Sequence, residues 1–276
     1  MPELPEVELA RRCLEKWASR RAVVGVSAAR SRVVRPSPRA LQALRGATFL
    51  RFERRGKNLL LTARRAGALV GVWSHLGMTG KWVRRRAGEE TPRFARASLA
   101  VSGGHVLYYC DMRLFGRLQL VPGARFEEIA EVRALGPDPL VDGIDLRRLR
   151  ERLAKVRAPI KVALMDQRLL AGLGNIQVGE ALYRAAIDPR RAAASLRDVE
   201  VRRLAAAIRR SLAATLARFE HDTGCDEDVS YVEEGAPNPF LVYDRAGEPC
   251  RRCRKGVITR IVQAGRSTFF CPACQR

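Results

Sequence analysis

No run of this 276-residue chain stays apolar for the ~18 residues that a membrane span needs. No basic amphipathic stretch with a Trp/Phe face marks a surface anchor either. The first eight residues, MPELPEVE, are acidic and lack the apolar core of a secretory signal. There is no internal repeat and no low-complexity tract, so neither a solenoid nor a biased disordered segment is expected. Acid is scarce: 29 Asp and Glu stand against 51 Lys and Arg, a formal net charge of +22. Lysine is scarce too, at six of those 51. An Arg-rich, GC-rich genome accounts for the choice of Arg but not for the excess of base over acid. An excess of this size points to a polyanionic partner, nucleic acid before membrane. With 47% hydrophobic residues the chain has ample material for a core, and disorder is excluded for most of it.

The periodicity changes along the chain. Residues 5–17 read as a helix, with Pro5 in its first turn and Val7, Ala10, Leu14 and Trp17 on one face. From about 22 to 122 the pattern is β: an apolar run at 68–76 containing Gly71, a hairpin from 97–101 to 105–110 around Ser-Gly-Gly, and period-two alternation at 117–121. The Pro/Gly-rich stretch 122–145 reads as a linker carrying one short helical turn. From 146 the period is helical. Leu204, Ile208, Leu212, Leu216 and Phe219 form a stripe, and Arg202, Arg203, Arg209 and Arg210 fall on another, solvated face. Residues 221–239 are acidic and loop-like, and a short module closes the chain.

Seven cysteines are present, four of them in the last 27 residues. That is not the distribution of a secreted disulfide framework, and a reducing cytosol is expected. Cys250-Arg-Arg-Cys253 and Cys271-Pro-Ala-Cys274 have the spacing of a four-thiolate zinc site with a hairpin between the pairs. Two redox pairs or four buried thiols are the alternatives. So short a module has too little core to fold alone, so the metal would be structural.

The chain start carries a second constellation. A small second residue allows Met1 to be removed, which leaves Pro2 as a free secondary amine. A terminal amine titrates near neutrality and is nucleophilic without special burial. Attack on a sugar C1′ gives an iminium directly, and that cation acidifies the C2′ proton and opens an elimination route. Glu3 stands beside it to shuttle protons, and Glu6 could orient the amine or hold a water. Taken alone, the same residues also read as an ordinary helix start with capping acids.

Over nearly its whole length the sequence resembles formamidopyrimidine-DNA glycosylases, in MPELPEVE at 1–8, RRGKNLLL at 54–61, HLGMTGKW at 75–82, DMRLFGR at 111–117, IKVALMDQRLLAGLGNI at 160–176 and GRSTFFCPACQR at 265–276. The resemblance implies an α+β fold. An N-terminal β-sandwich with a catalytic N-terminal helix (1–122) and a linker (123–145) precede a helix–two-turn–helix domain (146–235) and a zinc-ribbon hairpin (236–276), with DNA in a basic cleft. It implies a bifunctional glycosylase and AP lyase of base-excision repair that removes oxidised purines, with Pro2 as Schiff-base nucleophile, Glu3 as general acid/base and Lys57 assisting β-elimination. Met78, Arg113 and Phe115 match the residues that fill the gap left by a flipped nucleotide. Arg157, Lys161 and Asn175 match positions near the DNA backbone, and Arg266 the hairpin arginine that assists δ-elimination. One structural zinc on Cys250, Cys253, Cys271 and Cys274, damaged double-stranded DNA as partner, a monomeric state, no membrane association and a cytoplasmic, nucleoid-associated location complete the expectation.

The chain departs from the family pattern in four places. No His stands in Phe94-Ala95-Arg96, Gln177 replaces a Tyr, Asp244 replaces a Gly, and the lesion-covering loop reads Gly224-Cys-Asp-Glu-Asp228. An endonuclease VIII-like enzyme for oxidised pyrimidines and a lesion-binding protein without catalysis are the competing readings.

Overall fold

A computed structural model describes residues 2–222, 225 and 237–276. Met1 and nearly all of the acidic segment, including 224 and 226–228 of the lesion-covering loop, lie outside the described residues. The described chain divides into two compact units. One takes the residues up to Arg133 with Arg218–Asp222 and Cys225, and the other takes Ala134–Ala217 and 237–276.

The first unit opens with α1 (Leu4–Ala18), close to the helix read at 5–17. Pro5 sits in the first turn, where its missing N–H costs nothing, and Glu3 is the N-cap residue. Val7, Ala10, Leu14 and Trp17 are all buried, as their spacing implies. The strands that follow are β1 (Val23–Ala28), β2 (Val34–Arg35), β3 (Thr48–Arg55), β4 (Asn58–Arg65) and β5 (Ala68–His75), then β6 (Lys81–Arg86), β7 (Ala95–Val101), β8 (His105–Cys110) and β9 (Arg117–Pro122). They form a four-stranded sheet, β1-β7-β8-β6, and a five-stranded sheet, β2-β9-β5-β4-β3. One buried cluster joins α1 to both sheets, with Phe49, Leu61 and Val72 from one and Leu99, Leu107 and Tyr109 from the other. The expected hairpin is β7–β8, turned by Gly103 and Gly104 at positive φ.

The stretch read as a linker splits in two. Ala124, Phe126, Ile129 and Val132, the last on α2 (Ala130–Arg133), pack on Leu60, Trp73 and Val121 and so belong to the first unit. This explains Gly71 within β5: a Cβ there would lie 2.8 Å from the Phe126 ring. The expectation of reduced thiols is corrected at one pair, because Cys13 on α1 is disulfide-bonded to Cys225 across 212 residues. Trp17 Nε1 also donates to the Cys225 carbonyl at 2.6 Å. The Cα atoms of Cys13 and Cys225 lie 4.9 Å apart, a proximity that linear spacing cannot reveal.

The second unit contains α3 (Leu146–Leu153), α4 (Ile160–Leu164), α5 (Asn175–Ala185), the body of α6 (Asp198–Asp222) and a hairpin of β10 (Thr259–Gln263) with β11 (Arg266–Phe270). Along α6 the apolar stripe Leu204, Ile208, Leu212 and Leu216 is buried, and Arg202, Arg203, Arg209 and Arg210 are exposed, as read. Gln167 shapes the double turn before α5. Its Nε2 donates to the carbonyls of Met165 (2.9 Å) and Leu173 (2.8 Å), and its Oε1 accepts from Gly172 N (2.9 Å). Gln177 on α5 is buried against α6: Ser211 donates to it at 2.8 Å and it donates to Thr215 at 3.0 Å. Glu180, also buried, accepts from the N–H groups of Leu241, Val242 and Tyr243, which fixes the segment leading to the hairpin. No helix among the described residues is long and apolar enough to cross a membrane.

A buried ion network ties α1 to the β3–β4 turn. Arg54 Nε donates to Glu8 Oε2 at 3.0 Å, and its Nη1 donates to the Gly56 carbonyl at 2.9 Å. Arg11 and Arg12 also donate to Glu8. Burial pushes the Glu8 carboxyl up, but these hydrogen bonds and charges more than offset it and hold it below its ordinary range. Arg54→Ala leaves Glu8 without its buried partner and is expected to lower unfolding stability by about 3 kcal/mol, measured by urea denaturation.

Candidate active site and metal centre

Pro2 is buried at the start of α1. Glu3 N donates to Glu6 Oε2 at 2.9 Å, and the Glu3 side chain accepts from the Glu6 N–H, so the two acids form a reciprocal capping box. Both carboxylates thus sit at the positive end of the helix dipole, one and four residues from Pro2. Burial, and then the nearby charge of Glu3, push the Glu6 carboxyl up to about 7. A carboxyl poised near neutrality can give or take a proton at working pH.

Lys57 occupies the β3–β4 turn, next to Gly56 at φ 57°. Through the Gly56 carbonyl, Arg54 ties this turn to Glu8 on α1. Asn58 pairs with His75, at the other end of the β4–β5 register. Burial, then the charges of Lys57 and Arg117, press the His75 imidazole down to about 4. The ring is therefore neutral at physiological pH, and its Nδ1 accepts from Gly77 N at 3.1 Å. Met78 follows on this loop, 37% exposed. Arg113 and Phe115 lie on the loop between β8 and β9. Phe115 is 51% exposed, and the Arg113 guanidinium stacks over its ring at 5.0 Å. The first unit therefore brings Pro2, Glu3 and Glu6 together at one helix end and Met78, Arg113 and Phe115 together on adjoining loops.

In the second unit Arg157 and Arg266 are exposed, with Arg266 paired to Gln263 at the tip of the β10–β11 hairpin. Lys161 lies on α4 beneath the hairpin. It is 1% exposed, and its Nζ donates to Thr268 Oγ1 (2.7 Å) and to the Ser267 carbonyl (3.3 Å). It props β11 beside Arg266 instead of presenting a surface charge. Asn175, the first residue of α5, donates from Nδ2 to the same Ser267 carbonyl at 3.0 Å. Its Oδ1 is buried without a partner among the described residues.

The ligand atoms of Cys250, Cys253, Cys271 and Cys274 all lie within 4.8 Å of one another, the arrangement that four thiolates adopt around one tetrahedral zinc. Gly256 leaves room for this cluster, since a Cβ there would come 2.6 Å from Cys271 Sγ. Tyr183 Oη lies 3.3 Å from Cys250 Sγ, and Arg252 donates to Cys274 Sγ at 2.8 Å. These contacts orient the ligands and tie them to α5.

Sequence reading missed Arg54, Thr79, Asp111 and Arg32, which hold the named groups in place. Thr79 and Asp111 stand inside the motifs HLGMTGKW and DMRLFGR, but no periodicity signals a pairing 32 residues apart. Phe94, in the segment Phe94-Ala95-Arg96 that lacks the family His, is at φ 62° and 41% exposed, and its carbonyl accepts from Asp111 N.

Three family profiles match the chain: formamidopyrimidine-DNA glycosylase N-terminal domain over residues 1–118, formamidopyrimidine-DNA glycosylase H2TH domain over 135–224, and zinc finger found in FPG and IleRS over 247–276. Formamidopyrimidine-DNA glycosylases of Caulobacter vibrioides and Desulfitobacterium hafniense are 40% and 37% identical to it, each over the full length of both chains. Among solved structures, Lactococcus lactis Fpg in complex with abasic-site DNA superposes with a TM-score of 0.88 at 31% identity, over 99% of each chain. The same bacterium's protein with DNA containing N7-benzyl-Fapy-dG gives 0.88 at 32% identity, over 100% of each.

The state of Glu6 has a consequence for pH. The folded protein holds that proton more tightly than the unfolded chain, whose carboxyl titrates near 4.5. Stability contributed by this group is therefore lost as pH rises from about 4.5 through about 7. Glu6→Gln is expected to raise the melting temperature relative to the unsubstituted protein more at pH 8 than at pH 5, measured by thermal unfolding across that window.

Proposed function

This chain belongs to the formamidopyrimidine-DNA glycosylase family, and we propose that it excises oxidised purines such as 8-oxoguanine and formamidopyrimidines through a Schiff base on Pro2. It is a DNA glycosylase of base-excision repair, in a family whose members are also AP lyases. The observation that carries the assignment of Pro2 is the buried capping box, which presents two carboxylates at the helix end next to that residue.

The steps follow from these groups. The Pro2 amine attacks C1′, the C1′–N bond to the base breaks, and the base leaves with a proton that Glu3 delivers. The C1′–O4′ bond then breaks, O4′ leaving as a hydroxyl with a proton relayed by Glu3, and the resulting ring-opened Pro2 iminium acidifies C2′. Loss of that proton breaks the C3′–O bond, and loss of a C4′ proton then breaks the C5′–O bond. Lys57, close enough for its charge to depress His75, neutralises the departing phosphate. Glu6, near its pKa at pH 7, holds the backbone N–H of Glu3 and keeps the first turn in register. Met78, Arg113 and Phe115 fill the space of the extruded nucleotide, and their exposure supports this. Arg157, Asn175 and Arg266 bind backbone phosphates, Asn175 from a helix N-terminus. Arg266 also assists δ-elimination. Lys161 acts through β11, which it supports, and not through DNA. One structural zinc on the four cysteines holds the hairpin. The enzyme works as a monomer on the nucleoid, a residence that the charge of +22 supports.

The chemistry is tested with protein whose N-terminus is verified as Pro2 by mass spectrometry. Borohydride trapping on duplexes bearing 8-oxoguanine or an abasic site is expected to give a covalent adduct, absent in Pro2→Gly. No adduct on any of these DNAs sinks the Schiff-base assignment, and trapping on thymine glycol alone moves the substrate to oxidised pyrimidines. DNA affinity is expected to fall about tenfold or more between 50 and 200 mM salt, since each cationic phosphate contact of Lys57, Arg157 and Arg266 releases counterions. A flat salt profile, read by fluorescence anisotropy, contradicts the phosphate assignments.

A further inference from the structure

The loop that carries Met78 and the loop that carries Arg113 and Phe115 are built as one body, and Thr79 is the latch between them. Asp111 is wholly buried. Its Oδ1 accepts from the Thr79 hydroxyl at 2.6 Å, and its Oδ2 accepts from Gly116 N at 2.7 Å. Thr79 Oγ1 in turn accepts from Arg113 N at 3.0 Å. The hydroxyl is thus donor and acceptor at once. The carboxylate takes its proton, and this directs its lone pair at the amide of Arg113. The backbones interlock as well: a Cβ on Gly77 would lie 2.5 Å from the Phe115 carbonyl carbon. Tyr109 Oη donates to the His75 carbonyl at 2.8 Å and closes the base of the first loop.

A second set of contacts clamps the Arg113 loop. Arg32 Nε donates to the Leu114 carbonyl at 2.8 Å and Nη2 to the Arg113 carbonyl at 3.1 Å, and its guanidinium lies 5.3 Å from the Phe115 ring centre. Leu114 itself is at φ 58°, a conformation that a non-glycine residue keeps only where its surroundings over-determine it. The loops also expose Met78, Met112 and Phe115, large apolar side chains with no core to hold them. Ordering such groups only on contact with DNA would cost affinity, and ordering them beforehand avoids that cost.

We propose that Thr79 and Asp111 are positioning residues that couple Met78 to Arg113 and Phe115, so that the three enter the duplex as one preformed wedge and jointly set discrimination of the base opposite the lesion. This rests on the glycosylase reading above and adds to it a pair of residues that act by holding the two loops together.

The test compares Thr79→Val, which keeps the shape and removes the hydroxyl, with Thr79→Ser, which keeps the hydroxyl. Single-turnover excision of 8-oxoguanine is measured opposite cytosine and opposite adenine. Strand cleavage at an abasic site in a single-stranded oligonucleotide, which has no opposite base to read, is measured on the same preparations. Thr79→Val is expected to slow duplex excision opposite cytosine about tenfold and to narrow the cytosine/adenine ratio, because a buried carboxylate oxygen and the Arg113 amide lose their partner. Thr79→Ser is expected to restore both, and single-strand cleavage by the two variants to match. Met78→Ala and Arg113→Ala are expected to be non-additive with Thr79 present and additive in Thr79→Val. A Thr79→Val enzyme with unchanged duplex rate and base ratio, or with both activities reduced equally, overturns the proposal. An unsubstituted protein inactive on every one of these DNAs overturns the glycosylase reading instead.

Discussion

Val7, Ala10, Leu14 and Trp17 bury one face of α1 in the core shared by the two sheets. That packing turns the first residues of a chain, which usually fray, into a fixed point. Glu3 and Glu6 sit on it and hold each other through the backbone, and Glu8 extends the arrangement by one turn. Through Arg54 the same helix governs the turn of Lys57. Pro2, Glu3 and Lys57, to which the proposed chemistry gives the nucleophile, the proton shuttle and the phosphate contact, therefore share one rigid support, as precise catalytic geometry requires.

Five of the scarce acids are used inside. Glu3, Glu6, Glu8, Asp111 and Glu180 are all buried in a protein whose net charge is +22. Each accepts hydrogen bonds from backbone N–H groups or from arginines. Asp111 organises a loop, Glu180 fixes the approach to the hairpin, and Glu3 and Glu6 cap a helix. A buried carboxylate is tolerable when its lone pairs are filled and its surroundings are positive. The excess of arginine supplies those surroundings and leaves most of its own charge outside.

The hairpin follows the same logic with a metal in place of a core. Its apolar cluster is small, with Tyr183 and Val242 joined to the cysteines and Phe269. Lys161 and Asn175 both grip the backbone of Ser267, one residue from Arg266. The position of that arginine is thus set by α4 and α5 as well as by the zinc site.

Amphipathic periodicity by itself determined α1 and the apolar stripe of α6, alternation determined the β7–β8 hairpin, and paired Cys-x-x-Cys spacing determined the metal centre. These signals are local, because each depends on residues within a turn or a hairpin of one another. The capped chain start was legible as a candidate site as well, since a proline amine beside a glutamate is a chemical statement before it is a structural one. Tertiary structure alone decided the rest. It buried Lys161, joined Cys13 to Cys225, folded Phe126 over Gly71 and set Thr79 against Asp111. Each of these contacts joins residues separated by dozens to hundreds of positions, and burial, which only the packed chain defines, decides whether a charge faces solvent or a hydroxyl faces a carboxylate.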